Sequence, residues 1–317
     1  MKTSQRSKTK AGRKKSARDG KTGFAAAMKS FIGHLEGTGK AAHTIDSYRL
    51  DLLRFEEFLQ SEGRKAREVR VDRITRKDLE RYHEKLKQGG QKTNTRRRKL
   101  MTLRKLMTYL TARKRIDFDI AKKLPAPAKL ERIPFTVDSA KLIEAIRATG
   151  AETSLFARNR ALLWLLAETG CSVAEAARLR WKEVDLEGGR IEFVGKAERT
   201  LPISSDLAKA LAQILGTAKP IEPCFRGFNR FGSLGGAITP RGIELLVKSY
   251  EPKLGLGTLT PRSFRHSIVV HWFKEGVAEI EIQKRLGLRT AYAFRVYAPI
   301  FAKLSAEKPK SPSELSS

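Results

Sequence analysis

The sequence predicts a mainly α-helical protein of two domains with one small β-sheet, and three observations lead there. Apolar residues recur at helical spacing along most of the chain. A proline-rich, charged segment interrupts that pattern before the middle of the chain. Beyond the break, one pair of short stretches, RIEFV and RTLPI, has the composition of strands and predicts a β pair.

The elements follow in order. Residues 1–22 hold nine Lys or Arg, one Asp and no large apolar residue after Met1. Such a segment buries too little surface to offset its chain entropy, so a disordered basic tail is expected. It is either an arm laid along phosphates or a solubilising remnant. Four helices fill a first domain over 23–121. Phe24, Met28, Phe31, Ile32 and Leu35 mark the core face of the first, and Ile45, Tyr48, Leu52, Phe55 and Leu59 that of the second. Thr75 with Asp78 reads as a capping-box start for the third, which carries Leu79, Tyr82 and Leu86 and stops at Gly89-Gly90. The fourth, near Thr93 to Lys114, buries Leu100, Leu103, Met107 and Leu110. Its first turns carry Arg96, Arg97, Arg98 and Lys99, where the helix dipole favours negative charge. A bound polyanion resolves that conflict; a solvated charged face is the other reading.

KKLPAPAKLERIP, residues 122–134, has three prolines, five charges and no apolar period, which marks a linker. The second domain, 135–300, opens with a short helix near Asp138 to Ala148 and a longer apolar one through Ala161, Leu162, Leu165 and Leu166. After CSVAEAARLRW come the strand pair, a glycine-rich stretch and a Thr239-Pro240 helix start. Residues 301–317 form a C-terminal tail whose apolar start, with Ile300, Phe301 and Leu304, is either a small docking helix or a frayed end.

Composition limits the partners. With 64 Lys and Arg against 34 Asp and Glu, the formal charge is +30, and a field of that size attracts polyanions, nucleic acid first among them. No run approaches the roughly 18 apolar residues of a membrane span, and the N-terminus lacks the apolar centre of a signal peptide, so an intracellular protein is expected. Cys171 and Cys224 stand far apart and show no metal-ligand spacing; they read as buried free thiols, and neither a metal nor another cofactor is indicated.

The stretch TPRSFRHSIVVHW, Thr260 to Trp272, concentrates the chemistry. With Thr260 as N-cap and Pro261 as first helical residue, Arg262, Arg265 and His266 share one face with Val269 and Phe273. Cations in a first turn oppose the dipole at about 0.3–1 kcal/mol each, so the arrangement makes sense around a phosphate, which the same helix end attracts. The alternative pairs these arginines with acids such as Glu168 or Glu175. About thirty residues later, LGLRTAYAFRVYAPI brings Tyr292 and Tyr297.

An Arg-His helix followed by a late tyrosine resembles the tyrosine recombinases, the phage integrase family. The likeness extends over about residues 24–300 and rests on the order and spacing of several motifs. It implies an N-terminal helical, SAM-like core-binding domain and a C-terminal α+β catalytic domain. It also implies metal-free cleavage of double-stranded DNA by tyrosine attack on a phosphate, giving a 3′ phosphotyrosyl bond that is later religated. By spacing, Arg265 matches the arginine of the family's His-x-x-Arg motif, with His266 beside it. Tyr297 matches the nucleophile. Lys196, in VGKAERTLPI, matches the lysine of a β-hairpin that protonates the leaving oxygen, with Arg199 as a possible substitute because the hairpin is short.

Three positions depart from the pattern. Ser172 stands where the family has its first arginine, although Ser172 and Glu175 fit a capping box. Arg262 replaces a histidine; it can reach a phosphate but is a poor proton shuttle, because guanidinium does not deprotonate. Leu288 replaces the histidine of a Leu-Gly-His motif. Arg178, Arg180 and Arg262 are the candidates to replace the missing arginine. The resemblance therefore implies either a divergent site-specific recombinase or a fold relative that binds DNA as an architectural or regulatory factor without cutting it. A basic RNA-associated protein accounts for the charge but not for the ordered Lys, Arg and Tyr series. Relatives assemble dimers to tetramers on DNA, and a cytoplasmic, nucleoid-associated protein is implied.

Overall fold

The computed structural model describes residues 22–65, 69–122, 124–128, 134–195, 198–228 and 233–307. The basic tail up to residue 21, Lys123 and residues 129–133 of the linker, Lys196 of the hairpin and residues 308–317 lie outside the described residues. Contacts divide the chain into two compact units, Met1–Leu130 and Glu131–Ser317.

The first unit contains α1 (Phe24–Gly37), α2 (Ala42–Ser61), α3 (Arg76–Gln88) and α4 (Thr93–Ala112). The apolar stripes face one another: Phe24, Leu52, Phe55, Leu79, Leu100, Leu103, Met107 and Leu110 are fully enclosed in one core. Helix α3 starts on a capping box in which Thr75 accepts from the Asp78 amide and Asp78 accepts from the Thr75 amide. The Asp78 carboxylate is buried, and it is held by Arg64 at 2.7 Å and Arg81 at 2.7 Å. Burial works to raise its pKa, yet the hydrogen bonds from Thr75 and the two arginines outweigh that and keep it below the usual carboxylate value.

The second unit is built around α6 (Ser154–Thr169), in which every residue from Ala161 to Ala167 is buried. A helix apolar on all sides must be wrapped, and α5 (Ser139–Arg147), α7 (Val173–Arg178), α8 (Ser205–Leu215), α9 (Pro240–Leu254) and α10 (Pro261–Lys274) supply the wrapping core residues. The expected strand pair forms: β2 (Arg190–Phe193) pairs antiparallel with β3 (Arg199–Pro202), and a two-residue strand β1 (Val184–Asp185) extends the sheet. Where one sheet was expected, the described residues of the unit form two. The glycine-rich stretch folds as a second antiparallel pair, β4 (Arg226–Phe228) with β5 (Leu234–Ala237). Gly227, Gly235 and Gly236 remove the side-chain alternation by which a strand is recognised.

After α10 the chain continues through α11 (Glu279–Arg285), α12 (Ala291–Phe294), a 3-10 turn over Arg295–Tyr297 and α13 (Ala298–Glu307). These elements close a smaller core of Val269, Ile282, Leu286, Phe294, Tyr297 and Phe301. Between the two readings of the segment after Tyr297, the structure has the docked helix. Phe301 is buried, with its ring stacked on Phe273 at 3.9 Å between centroids. Cys171 and Cys224 are both free and buried.

Candidate active site

Helix α10 begins as its sequence requires. Thr260 is the N-cap, its side chain accepts from the Ser263 amide, and Pro261 occupies the first turn, where a missing N–H costs nothing. Phe264 points into the main core and Val269 into the smaller one. Arg262 is left exposed, and Arg265 and His266 are left half-buried.

Arg265 is held by carbonyls. It donates to the Gly170 oxygen at 3.1 Å and to the Leu286 oxygen at 2.6 Å. Both acceptors are ends of helices, at α6 and α11 respectively, where backbone oxygens lack intrahelical partners. Gly170 makes this approach possible: its φ is +58°, and a Cβ there would stand 2.8 Å from the Ile268 side chain. Neutral carbonyls fix the guanidinium without cancelling its charge. Burial lowers the Arg265 pKa, opposed by the negative charge of Glu175.

Tyr297 is only 3% exposed, and its hydroxyl lies 2.8 Å from His266 Nδ1. The 3-10 turn and the Phe301 and Phe294 rings fix the phenol from the other side. Burial pushes the phenol pKa up to about 12, with Arg265 and Arg262 pulling against it. His266 moves the opposite way: burial, then the charges of Arg262 and Arg265, press its pKa down to about 4. Near neutral pH a protonated phenol therefore faces a neutral imidazole. Tyr292, the other late tyrosine, is 63% exposed and has no place in this cluster.

The remaining wall comes from α7 and the hairpin. Ser172 caps α7, and Glu175 closes the capping box by accepting from the Ser172 amide at 2.7 Å. The second Glu175 oxygen receives Arg199 at 2.6 Å. Arg199 Nε also donates to the Arg285 carbonyl at 2.6 Å, next to the Leu286 carbonyl that holds Arg265. Burial works to raise the Glu175 pKa, but Arg199 and the Ser172 amide overcome it and the carboxyl titrates below its ordinary value. Arg199 reaches inward because β3 alternates, with Arg199 and Leu201 on the core side and Thr200 and Pro202 outside. That alternation was the signal available in the sequence for an inward arginine. Its ion pair with Glu175, on a separate helix, was not.

Among the described residues the alternative reading, in which the α10 arginines pair with acids, is not found. Glu175 serves Arg199, and Glu168 accepts from the amide and hydroxyl of Ser204. Among the described residues Arg262 forms no ion pair. Arg178 and Arg180 are exposed at the far end of α7, and Arg180 donates to the Ile221 carbonyl. Leu288 packs against the smaller apolar core, and its side chain offers no donor. In the first unit, Arg96 donates to Thr93 at 3.3 Å and Arg97 to the Pro127 carbonyl at 2.7 Å. Arg98 pairs with buried Asp51, and Lys99 is itself 2% exposed. Among the described residues no three His, Cys, Asp or Glu side chains are grouped to hold a metal ion.

Residues 138–302 match the model "Phage integrase family", and residues 28–114 match "Phage integrase, N-terminal SAM-like domain". The chain belongs to the phage integrase family of tyrosine recombinases. A relative, "Tyrosine recombinase XerC" of Roseiflexus sp. (strain RS-1), is 27% identical over 298 residues, covering 90% of this chain and 92% of its own. Two solved structures share the phage integrase fold. One is the XerH site-specific recombinase bound to palindromic difH substrate in a post-cleavage complex, with a TM-score of 0.68 and 20% identity, covering 90% of this chain and 83% of that chain. The other is a lambda integrase tetramer bound to a Holliday junction, with a TM-score of 0.64 and 13% identity, covering 86% of this chain and 79% of that chain. As in the family, the SAM-like domain precedes the catalytic one.

Proposed function

We propose that this protein is a site-specific tyrosine recombinase that cuts and rejoins double-stranded DNA through a 3′ phosphotyrosyl bond, with Tyr297 as its nucleophile. The observation that carries the reading is the convergence of Arg265, His266 and Tyr297 around one hydrogen bond of 2.8 Å. The guanidiniums of Arg262 and Arg265 act on that pair, and the Arg199–Glu175 ion pair adjoins Arg265, leaving excess positive charge where a phosphate gathers negative charge during transfer.

In this reading Arg265 and Arg262 hold the scissile phosphate and Lys196 protonates the departing 5′ oxygen. Arg199 supplies positive charge beside Arg265 in the absence of an arginine at 172. The charge of +30, Arg96 and Arg97 at the start of α4 and the basic tail serve the DNA backbone, whereas Arg98 and Lys99 of the same expected cluster are taken up within the unit. Assembly of two to four copies on DNA, in the cytoplasm and on the nucleoid, is part of the proposal. The likeness to a lambda integrase that binds a Holliday junction as a tetramer supports the assembly, and the charge supports the location. None of the described helices is long and apolar enough to cross a membrane.

The test is capture on a nicked duplex carrying a sequence selected from a random DNA pool by binding to the protein. The nick lets the cleaved end diffuse away, so an active enzyme accumulates as a covalent adduct. Specific binding without any adduct identifies the architectural alternative, which the serine at 172 and the leucine at 288 would favour.

A further inference from the structure

We propose that His266 is the proton acceptor for Tyr297, and that it acquires this capacity when a phosphate settles against Arg262 and Arg265. This inference rests on the reading of Tyr297 as nucleophile. The first turn of α10 lacks a base. Position 262 is an arginine, which carries no removable proton, so one place from which a base could serve the phenol is empty of one. One turn further on, His266 Nδ1 is within hydrogen-bond reach of the hydroxyl, which is the geometric requirement for a general base.

The charges around the imidazole explain why the base is silent without substrate. From α10 itself Arg262 and Arg265 face it; from the 3-10 turn, Tyr297; beyond Arg265 stand Glu175 of α7 and Arg199 of β3. Protonating His266 beside two guanidiniums in a half-buried site is unfavourable, so the phenol keeps its proton. A phosphate oxyanion placed on those guanidiniums cancels their field and makes the imidazolium tolerable. The nucleophile is thus activated where a phosphate is present to receive it.

The step balances. The Tyr297 O–H bond breaks and its proton passes to Nδ1 of an imidazole that carries its other proton on Nε2. The phenolic oxygen forms a bond to phosphorus, and the bond from phosphorus to the 5′ oxygen breaks with its electron pair, that oxygen taking a proton from Lys196. In rejoining, the 5′ hydroxyl returns its proton to the neutral Lys196 as its oxygen bonds to phosphorus, the bond from phosphorus to the phenolic oxygen breaks with its electron pair, and the departing phenolate recovers the proton from Nδ1.

Single-turnover cleavage of the nicked, selected duplex tests this, using two versions of the DNA with either oxygen or sulfur as the bridging 5′ atom. A thiolate leaves without a proton, so sulfur restores a variant that has lost its acid but not one that has lost its base. His266→Asn keeps an acceptor near the Nδ1 position that cannot take up a proton. We expect it to bind DNA within about twofold of wild type and to cleave about 10²–10⁴-fold more slowly at neutral pH. Its rate should climb about tenfold per pH unit toward the phenol value, with no rescue by sulfur, whereas Lys196→Ala is rescued. His266→Asn cleaving at the wild-type rate with the wild-type pH profile, or regaining it with sulfur, overturns the proposal while leaving the nucleophile intact. If wild type forms no adduct, the reading of Tyr297 fails first. Nitrogen NMR of His266 then still decides the coupling: its pKa should rise on adding sulfate, a tetrahedral dianion, and an unchanged value rules the coupling out.

Discussion

Helices α4 and α10 begin alike and end up doing different work. Both open with clustered cations and no acid in the first turn. At α4, Arg98 finds a buried carboxylate, Asp51, which also accepts from Thr102 at 3.1 Å, and Lys99 is packed away beside them. Burial, and then the charge of Arg54, lower the Lys99 pKa. At α10, Arg265 finds two carbonyls and Arg262 finds no ion-pair partner among the described residues. A basic helix start is available to an anion to the extent that the protein has not already neutralised it. By that measure Arg98 and Lys99 are largely taken up within the protein, whereas Arg262 and Arg265 are not neutralised by an ion pair among the described residues, which is what the proposed phosphate site requires.

The largest effect that would undo this contrast is on catalysis. Arg265→Ala should lower single-turnover cleavage about 10²–10³-fold, the usual loss for one preorganised donor at a developing oxyanion. Arg265→Lys should recover little, since an ammonium cannot span the Gly170 and Leu286 carbonyls and still meet a phosphate. Arg98→Ala should instead cost stability and leave the chemical step unchanged once DNA is saturating. Cleavage of both variants on the same nicked duplex checks the pair.

The next effect runs in the opposite direction. Asp51→Ala leaves Arg98 and Thr102 without their shared acceptor and should destabilise the first unit by about 1–3 kcal/mol, read from denaturant midpoints. Arg262→Ala, at an exposed position, should stay within about 0.5 kcal/mol of wild type. If Arg262→Ala proves the more damaging to folding, the contrast is wrong.

Acid adds a third distinction. His266 has its pKa depressed from 6.5 to about 4, so between those values the unfolded chain binds a proton that the folded one refuses. Stability is therefore complete above about pH 6.5 and falls as pH drops toward 4. Denaturation midpoints across that window should flatten in His266→Asn. Glu175, also depressed, contributes stability above its ordinary value of 4.5 that is lost on acidification through its lower folded value. A smaller loss than that of Asp51→Ala is expected for Ser172→Ala, which removes the α7 cap and should cost about 1 kcal/mol without changing the rate on bound DNA.

Much of this was legible in the sequence, for identifiable reasons. The helices announced themselves through apolar spacing and through caps whose chemistry is local: Thr75 with Asp78, Ser172 with Glu175, and Thr260 before Pro261. The shared face of Arg265 and His266 was legible through helical spacing, whereas Tyr297 was singled out from Tyr292 only through the resemblance to the tyrosine recombinases. The second sheet was not, because Gly227, Gly235 and Gly236 carry no pattern. Nor were the partners of the cations. Asp51 lies 47 residues from Arg98, and Glu175 lies 24 from Arg199, and neither separation leaves a local trace. The neutral state of His266 likewise depends on burial and on neighbours that tertiary packing brings together.

If the cations at the start of α10 and the phenol of Tyr297 form one DNA-cleaving site, the covalent bond to DNA must be found on that phenol and must depend on those cations. Protease digestion of the adduct on the nicked duplex, followed by mass spectrometry of the nucleotide-bearing peptide, reads both directly. A single phosphotyrosyl linkage at Tyr297 is expected, absent from Tyr297→Phe and strongly reduced in Arg265→Ala. A linkage at Tyr292 or any other residue, or an adduct that persists in Tyr297→Phe, would contradict the assignment.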